Sequence, residues 1–364
     1  MNLARGLLFI AVGMLFGADV AWAQSVPDAK VSVEQILDAW KARQGRVQSL
    51  RIKFTESRTM HRKKNRILTR EHEVVLDGLR YRHERNGENW ALTTDEAAAQ
   101  RYVAIFDGEH EVYLLGYEAR TDRLHPLGTV RPAAKMVAGS DSEAHNQEVW
   151  PIFHAFRSRQ PGFIPSDVLG WRLTGQFGTI AGHKCPIIEK IDVTTERYRV
   201  WVDPQRDFCA LRLEMGPKSL EVAYAQLDIE YQHDASGVWI PTQWTNLVHC
   251  HSEGRLVLQW TARFAATEYE LNPAVDNDAF RVDFPPGTEV LDSSGGTRTL
   301  YLVRESGKRP ILDEERLRGA RYSDFAATES GRALLPPGSG AFSWRWLLAA
   351  VVVAGASALA LRRR

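Results

Sequence analysis

The chain has 364 residues, with 46 basic and 45 acidic side chains and a formal charge of +1. That balance gives no general attraction to nucleic acid. Three cysteines are too few, and odd in number, for a disulfide-built scaffold, so a hydrophobic core must hold the fold.

Arg5, the apolar run 7–16 and the small-x-small triplet Ala21-Trp22-Ala23 ahead of Gln24 read as a secretory signal peptide over residues 1–23, cleaved after Ala23. No cysteine follows that site, so an amino-terminal lipid anchor of the bacterial lipoprotein kind is not expected. A helix follows, because Val33, Ile36, Leu37 and Trp40 share one face, with Ser32 as N-cap and Gly45 as stop. The period then changes to two: Leu50, Ile52 and Phe54 alternate with Arg51, Lys53 and Thr55, the pattern of a half-buried strand.

Asp77-Gly78, taken as a two-residue type I′ loop, sets Leu76 opposite Leu79, Val74 opposite Tyr81 and His72 opposite His83, with Glu73 and Arg82 paired on the other face. Asp107-Gly108 likewise sets Val103 opposite Val112 and Tyr102 opposite Tyr113. Between about 121 and 170 the meander is interrupted by a helical insertion over 148–157, where Val149, Ile152, Phe153 and Phe156 fall at helical spacing. Strands resume at 171–177, 184–191, 197–202, 208–214, 221–231, 238–248 and 256–269, with a turn at Asp203-Pro204-Gln205-Arg206-Asp207.

Beyond Phe284-Pro285-Pro286-Gly287 one short strand is expected at 299–303, and residues 306–341 read as a partly ordered polar tether. Residues 342–361 read as a transmembrane helix, with Trp344 and Trp346 at headgroup level and Arg362, Arg363 and Arg364 held on the cytoplasmic side. Residues 24–305 then form the main domain in the cell envelope, outside the cytoplasm.

The fold class expected is mainly β: a strongly curved antiparallel sheet or half-open β-barrel, with the amino-terminal helix and the helical insertion as lid. Eleven Trp, ten Tyr and fourteen Phe either line a concavity that takes an acyl chain or simply fill the core.

Three stretches carry a resemblance. Ile36-Leu37-Asp38-Ala39-Trp40, Ser49-Leu50 and Phe54-Thr55-Glu56 resemble the opening helix and first strand of the periplasmic lipoprotein-carrier superfamily of LolA, LolB and RseB. Ala104-Ile105-Phe106-Asp107-Gly108 with Val112-Tyr113-Leu114 resembles its middle hairpin, and Trp201-Val202-Asp203-Pro204 with Leu211-Arg212-Leu213-Glu214 its late hairpin. The resemblance implies an unclosed barrel with helices over its mouth and a cavity for lipoprotein acyl chains. A terminal membrane anchor departs from the freely shuttling carrier of that family.

Enzymatic signatures are lacking: there is no G-x-S-x-G, H-E-x-x-H, phosphate-binding Gly-rich loop or C-x-x-C. No catalytic residue, cofactor or metal is expected. His72 and His83 form the best metal candidate, but no third ligand can be named, and a structural pair is favoured. His249-Cys250-His251 places its imidazoles and thiol on opposite strand faces. Cys185 and Cys209 fall on strands flanking a shared neighbour, about 9.6 Å apart and beyond the roughly 7 Å reach of a disulfide. Arg58, His61, Arg62, Lys63, Lys64, Arg66 and Arg70 surround the turn between the first two strands. Of these Arg62, Lys63, Lys64 and Arg66 are candidate contacts for an anionic headgroup or acidic partner, the alternative being a solvated hairpin tip. The function expected is that of a membrane-tethered lipid- or lipoprotein-binding envelope protein without catalytic activity. An envelope signalling or interaction module with a protein partner is the alternative.

Overall fold

A computed structural model describes residues 31–61, 65–90, 97–117, 125–132, 148–157, 170–191, 196–218, 223–252 and 255–326. The expected signal peptide (1–23) and transmembrane helix (342–361) lie outside the described residues. No described helix is long and apolar enough to cross a membrane.

Helix α1 (Val33–Arg46) opens on a capping box: the Ser32 hydroxyl accepts from the Gln35 N–H at 3.2 Å, and the Gln35 side chain accepts from the Ser32 N–H at 2.9 Å. Its buried stripe is Ile36, Trp40 and Arg43. The strands that follow are β1 (Ser49–Met60), β2 (Arg66–Asp77), β3 (Arg80–Trp90), β4 (Ala97–Phe106), β5 (His110–Tyr117) and β6 (Leu127–Pro132). After α2 (Trp150–Phe156) come β7 (Arg172–Ile180), β8 (His183–Ile191), β9 (Glu196–Asp203), β10 (Cys209–Pro217), β11 (Ala225–His233), β12 (Trp239–Ser252) and β13 (Arg255–Leu271). The last strands are β14 (Glu289–Asp292), β15 (Thr299–Arg304) and β16 (Gly307–Pro310).

All sixteen form one curved, unclosed sheet in the order β16-β15-β14-β6-β5-β4-β3-β2-β1-β13-β12-β11-β10-β9-β8-β7. Two antiparallel meanders, β1 to β6 and β7 to β13, meet where β1 pairs with β13. The pairing of β14 with β6 is parallel.

Both aspartate-glycine hairpins are shifted by two residues from the expected register. Leu76 faces Tyr81, Val74 faces His83 and His72 faces Arg85; Ala104 faces Tyr113 and Val103 faces Leu114. Asp77 ends β2 and Gly78 is the first loop residue, whereas β4 ends at Phe106 and Asp107 already lies in its loop. Gly78 has φ +55°, as a type II′ loop requires at that position. Asp107 instead spends its Oδ1 on the N–H groups of Glu109 and His110, at 2.8 and 2.7 Å. Glu73 and Arg82 are consequently not partners: Glu73 lies 3.4 Å from Arg51, and Arg82 pairs with Glu84 at 2.6 Å.

The reverse face of β2 to β5 is covered by the chain after β13. A 3-10 turn at Asn277–Phe280 packs Phe280 against Val75, Val103, Ile105 and Leu114. The stretch expected as a tether from residue 306 is folded as far as residue 326. It forms β16 and two short helices, α3 (Asp313–Leu317) and α4 (Tyr322–Ala326), and Tyr322 and Phe325 pack against Leu302 and Ile311. Two aromatics three apart in a polar stretch suffice for that small core.

Candidate functional site: the inner face under α2

The inner face, which carries α1 and α2, has an apolar half and a charged half. Alternation points Ile52, Phe54, Glu56 and Arg58 of β1 to the same side, as it does Leu76, Val74, His72 and Arg70 of β2, Tyr81, His83 and Arg85 of β3, and Tyr102 and Gln100 of β4. Next to the turns these rows are aliphatic and aromatic. Further along they become a polar band crossing four strands.

Helix α2 lies over this face with all seven residues buried. Phe153 meets Tyr81 edge-on at 5.8 Å, and Trp244 donates to the Glu148 carbonyl at 3.1 Å while stacking on Phe264 at 5.3 Å. Two buried arginines hold its carboxyl end. Arg157 donates to the carbonyls of Gly78, Val47, Phe156 and Gln48 at 2.6–2.9 Å, and Arg43 donates to those of Ala155 and Asp207 at 2.6 and 3.0 Å.

At the amino end, Glu148 reaches into the polar band. Its carboxylate accepts from Arg85 at 2.8 and 2.9 Å and from Arg58 at 2.7 Å. Glu56 accepts from Arg58 at 2.5 Å, Arg70 at 3.3 Å and His72 Nε2 at 3.0 Å. Burial pushes both carboxyls up, but the guanidinium groups outweigh it: Arg58, with the His72 hydrogen bond, lowers Glu56, and Arg85 and Arg58 hold Glu148 well below the usual range. Burial dominates at the imidazoles, pushing His72 down and His83 down to about 3, so both are neutral.

An ionised Glu56 only accepts, so His72 carries its proton on Nε2 and leaves Nδ1 as an acceptor. His83 Nε2–H then donates to it across 3.1 Å, and the remaining lone pair, on His83 Nδ1, has no protein partner.

Donor atoms of His72, His83 and Glu148 lie within 4.8 Å of one another, so Glu148 is the third ligand that sequence could not name. The surroundings suit a charge network and oppose a cation. Three arginines face two carboxylates with neutral imidazoles between them, and Glu148 already accepts from two guanidinium groups. The sequence signal for this cluster is the continuation of inward-facing rows by Glu56, Arg58, Arg70 and Arg85.

The other expected sites stay apart. His249, Cys250 and His251 follow a bulge in β12 and pair with Leu258, Val257 and Leu256. Cys185 and Cys209 are free thiols on β8 and β10, which flank β9. Arg58 and Arg70, expected beside the basic turn, are drawn into the buried cluster because Glu56 and Glu148 neutralise them there. Arg66 is exposed at the start of β2, and Arg62, Lys63 and Lys64 lie outside the described residues. Beside α2, Trp150, His154, Trp171, Tyr198 and Met215 line a cavity of about 10 Å³, the size for one water and far below that for an acyl chain.

No family model and no curated protein matches the chain. Among solved structures, it is similar to an outer-membrane lipoprotein-sorting protein domain from Vibrio parahaemolyticus, at 11% identity and a TM-score of 0.44, over 69% of this chain and 96% of that one. It is also similar to a LolA superfamily protein from Nitrosomonas europaea, at 12% identity and a TM-score of 0.41, over 70% and 99%. The MucA/MucB complex of Pseudomonas aeruginosa matches at 13% identity and a TM-score of 0.20, over 76% and 73%.

Proposed function

We propose that this chain is a non-catalytic binding protein of the cell envelope, tethered by residues 342–361, which holds a lipid or lipoprotein acyl group on the inner face of its sheet. One observation carries this reading. The apolar half of that face, built from Phe54, Tyr81, Trp244 and Phe264, is closed by a separate seven-residue helix and not by another strand of the sheet. An acyl chain needs hundreds of cubic ångströms, so it takes the place of α2. The sequence resemblance to the lipoprotein-carrier superfamily supports the same reading.

The filled inner face favours a second reading, an interaction module in which α2 stays docked and the outer surface meets a protein partner. Native mass spectrometry of the full chain released from detergent separates the two. Co-purifying lipid or acylated peptide, lost on Phe153→Asp or Trp244→Asp substitution, is the expected result. A lipid-free chain that also takes up no added diacylglycerol lipopeptide would overturn the binding reading.

A further inference from the structure

Three histidines lie in the contact between residues 148–157 and the inner face, and of these His154 alone lacks any polar partner: His72 Nε2 lies 3.0 Å from the Glu56 carboxylate, and His72 and His83 hydrogen-bond each other at 3.1 Å. His154, on α2, is buried edge-on against Trp40 at 6.1 Å, and neither of its ring nitrogens has a protein hydrogen-bond partner. His83 is fully buried with Nδ1 unpartnered, and His72 is stacked between His83 and Phe54 at 5.4 and 4.5 Å. Glu148 lies across this pair.

We propose that docking of residues 148–157 on the inner face is proton-linked: the closed face holds His154 uncharged, and mild acid frees the segment by charging it. The inference is independent of what the inner face binds.

The surrounding charges give the sign. Around His72 and His83 stand Glu56 and Arg58 from β1, Arg70 from β2, Arg85 from β3, Tyr102 from β4 and Glu148 from the approach to α2. All of these but Glu148 stay on the sheet when the segment leaves, so the linkage belongs to His154 and not to His72 or His83. Around His154 stand Arg43 from α1, Arg199 from β9 and Glu214 from β10. Burial, then Arg43, pushes His154 down to about 3, as burial pushes His83 down to about 3 and lowers His72.

The closed-state value of His154 lies below the open-state one of about 6.5, so closure is favoured fully above that pH and loses ground as pH falls through it. Glu56 and Glu148, held below the usual carboxylate range, take up protons only in stronger acid. Burial raises the Glu214 carboxyl, which acts in the opposite sense.

Hydrogen exchange of the full chain in detergent micelles, read by mass spectrometry and corrected for intrinsic rates, tests the linkage between pH 7.5 and 5.5. One proton predicts a rise of about ten-fold in the opening constant of residues 150–156. The amides of β1 should keep their protection meanwhile. His154→Phe should abolish the rise. A wild-type rise below about three-fold, or equal loss of protection in β1 and α2, would overturn the proposal even if no variant folds. A rise of about ten-fold retained by His154→Phe would overturn it as well.

Discussion

The two ends of α2 are held by different physics. At the amino end, one carboxylate on the approach, Glu148, is gripped by Arg58 and Arg85 inside a cluster that leaves two imidazoles neutral. At the carboxyl end, Arg43 and Arg157 donate to main-chain carbonyls, Arg43 also to Cys209 Sγ at 3.2 Å, and neither has a carboxylate within ion-pair distance among the described residues. A charge network depends on every member keeping its ionisation state, whereas carbonyl dipoles do not titrate. The amino-end clamp therefore lasts until acid strong enough to protonate Glu148, and the carbonyl contacts at the carboxyl end do not titrate, so the response to mild acid comes from His154 beside them.

Substitution should separate the two clamps. Glu148→Gln preserves shape but leaves Arg58 and Arg85 buried without their shared counter-charge, and should lower unfolding stability by about 3–5 kcal/mol. Arg157→Met removes the donor to the Val47 carbonyl and one of the two donors to that of Gln48, and should cost about 2–3 kcal/mol. Urea midpoints at pH 7.5 give both values, and a larger loss in Arg157→Met than in Glu148→Gln would reverse the ranking of the two ends. Trp244→Phe removes one hydrogen bond to the Glu148 carbonyl and part of the stack on Phe264, and should cost about 1–2 kcal/mol in the same titration. No measurable loss there would show that Trp244 does not help to seat the segment.

The faces of the strands were legible in the sequence and their register was not. A slip of two residues keeps every side chain on its face, so the alternation of Leu76, Val74 and His72 reads identically in both registers. Only the geometry at Gly78 decides between them. The charged cluster escaped for another reason. Arg58 and Arg70 sit on inward rows, yet charged residues on strands normally face water, and what makes them buriable is Glu148, 90 residues beyond Arg58 in the chain. The expected pairing of His72 with His83 rests on a turn register that the structure shifts by two residues; they still touch diagonally on one face, and their neutral state follows from burial that the sequence does not display. The folded stretch up to residue 326 was missed because its core is four side chains, Leu302, Ile311, Tyr322 and Phe325, spread over a polar background.

The basic turn gives the smallest effect on stability and sharpens the contrast between buried and exposed arginine. Arg58 and Arg70 are fixed by carboxylates, so the candidates for a partner around this turn are Arg62, Lys63, Lys64 and Arg66. Replacing Arg62, Lys63 and Lys64 together by Ser should change stability by less than about 0.5 kcal/mol. Near an anionic bilayer each charge contributes about 1 kcal/mol, so the same variant should lose most of its salt-sensitive binding to vesicles containing phosphatidylglycerol. A variant that binds as well as the parent at low salt would return this turn to an ordinary solvated hairpin tip. The buried arginines cannot substitute for it, because their guanidinium groups already face Glu56 and Glu148 inside the molecule.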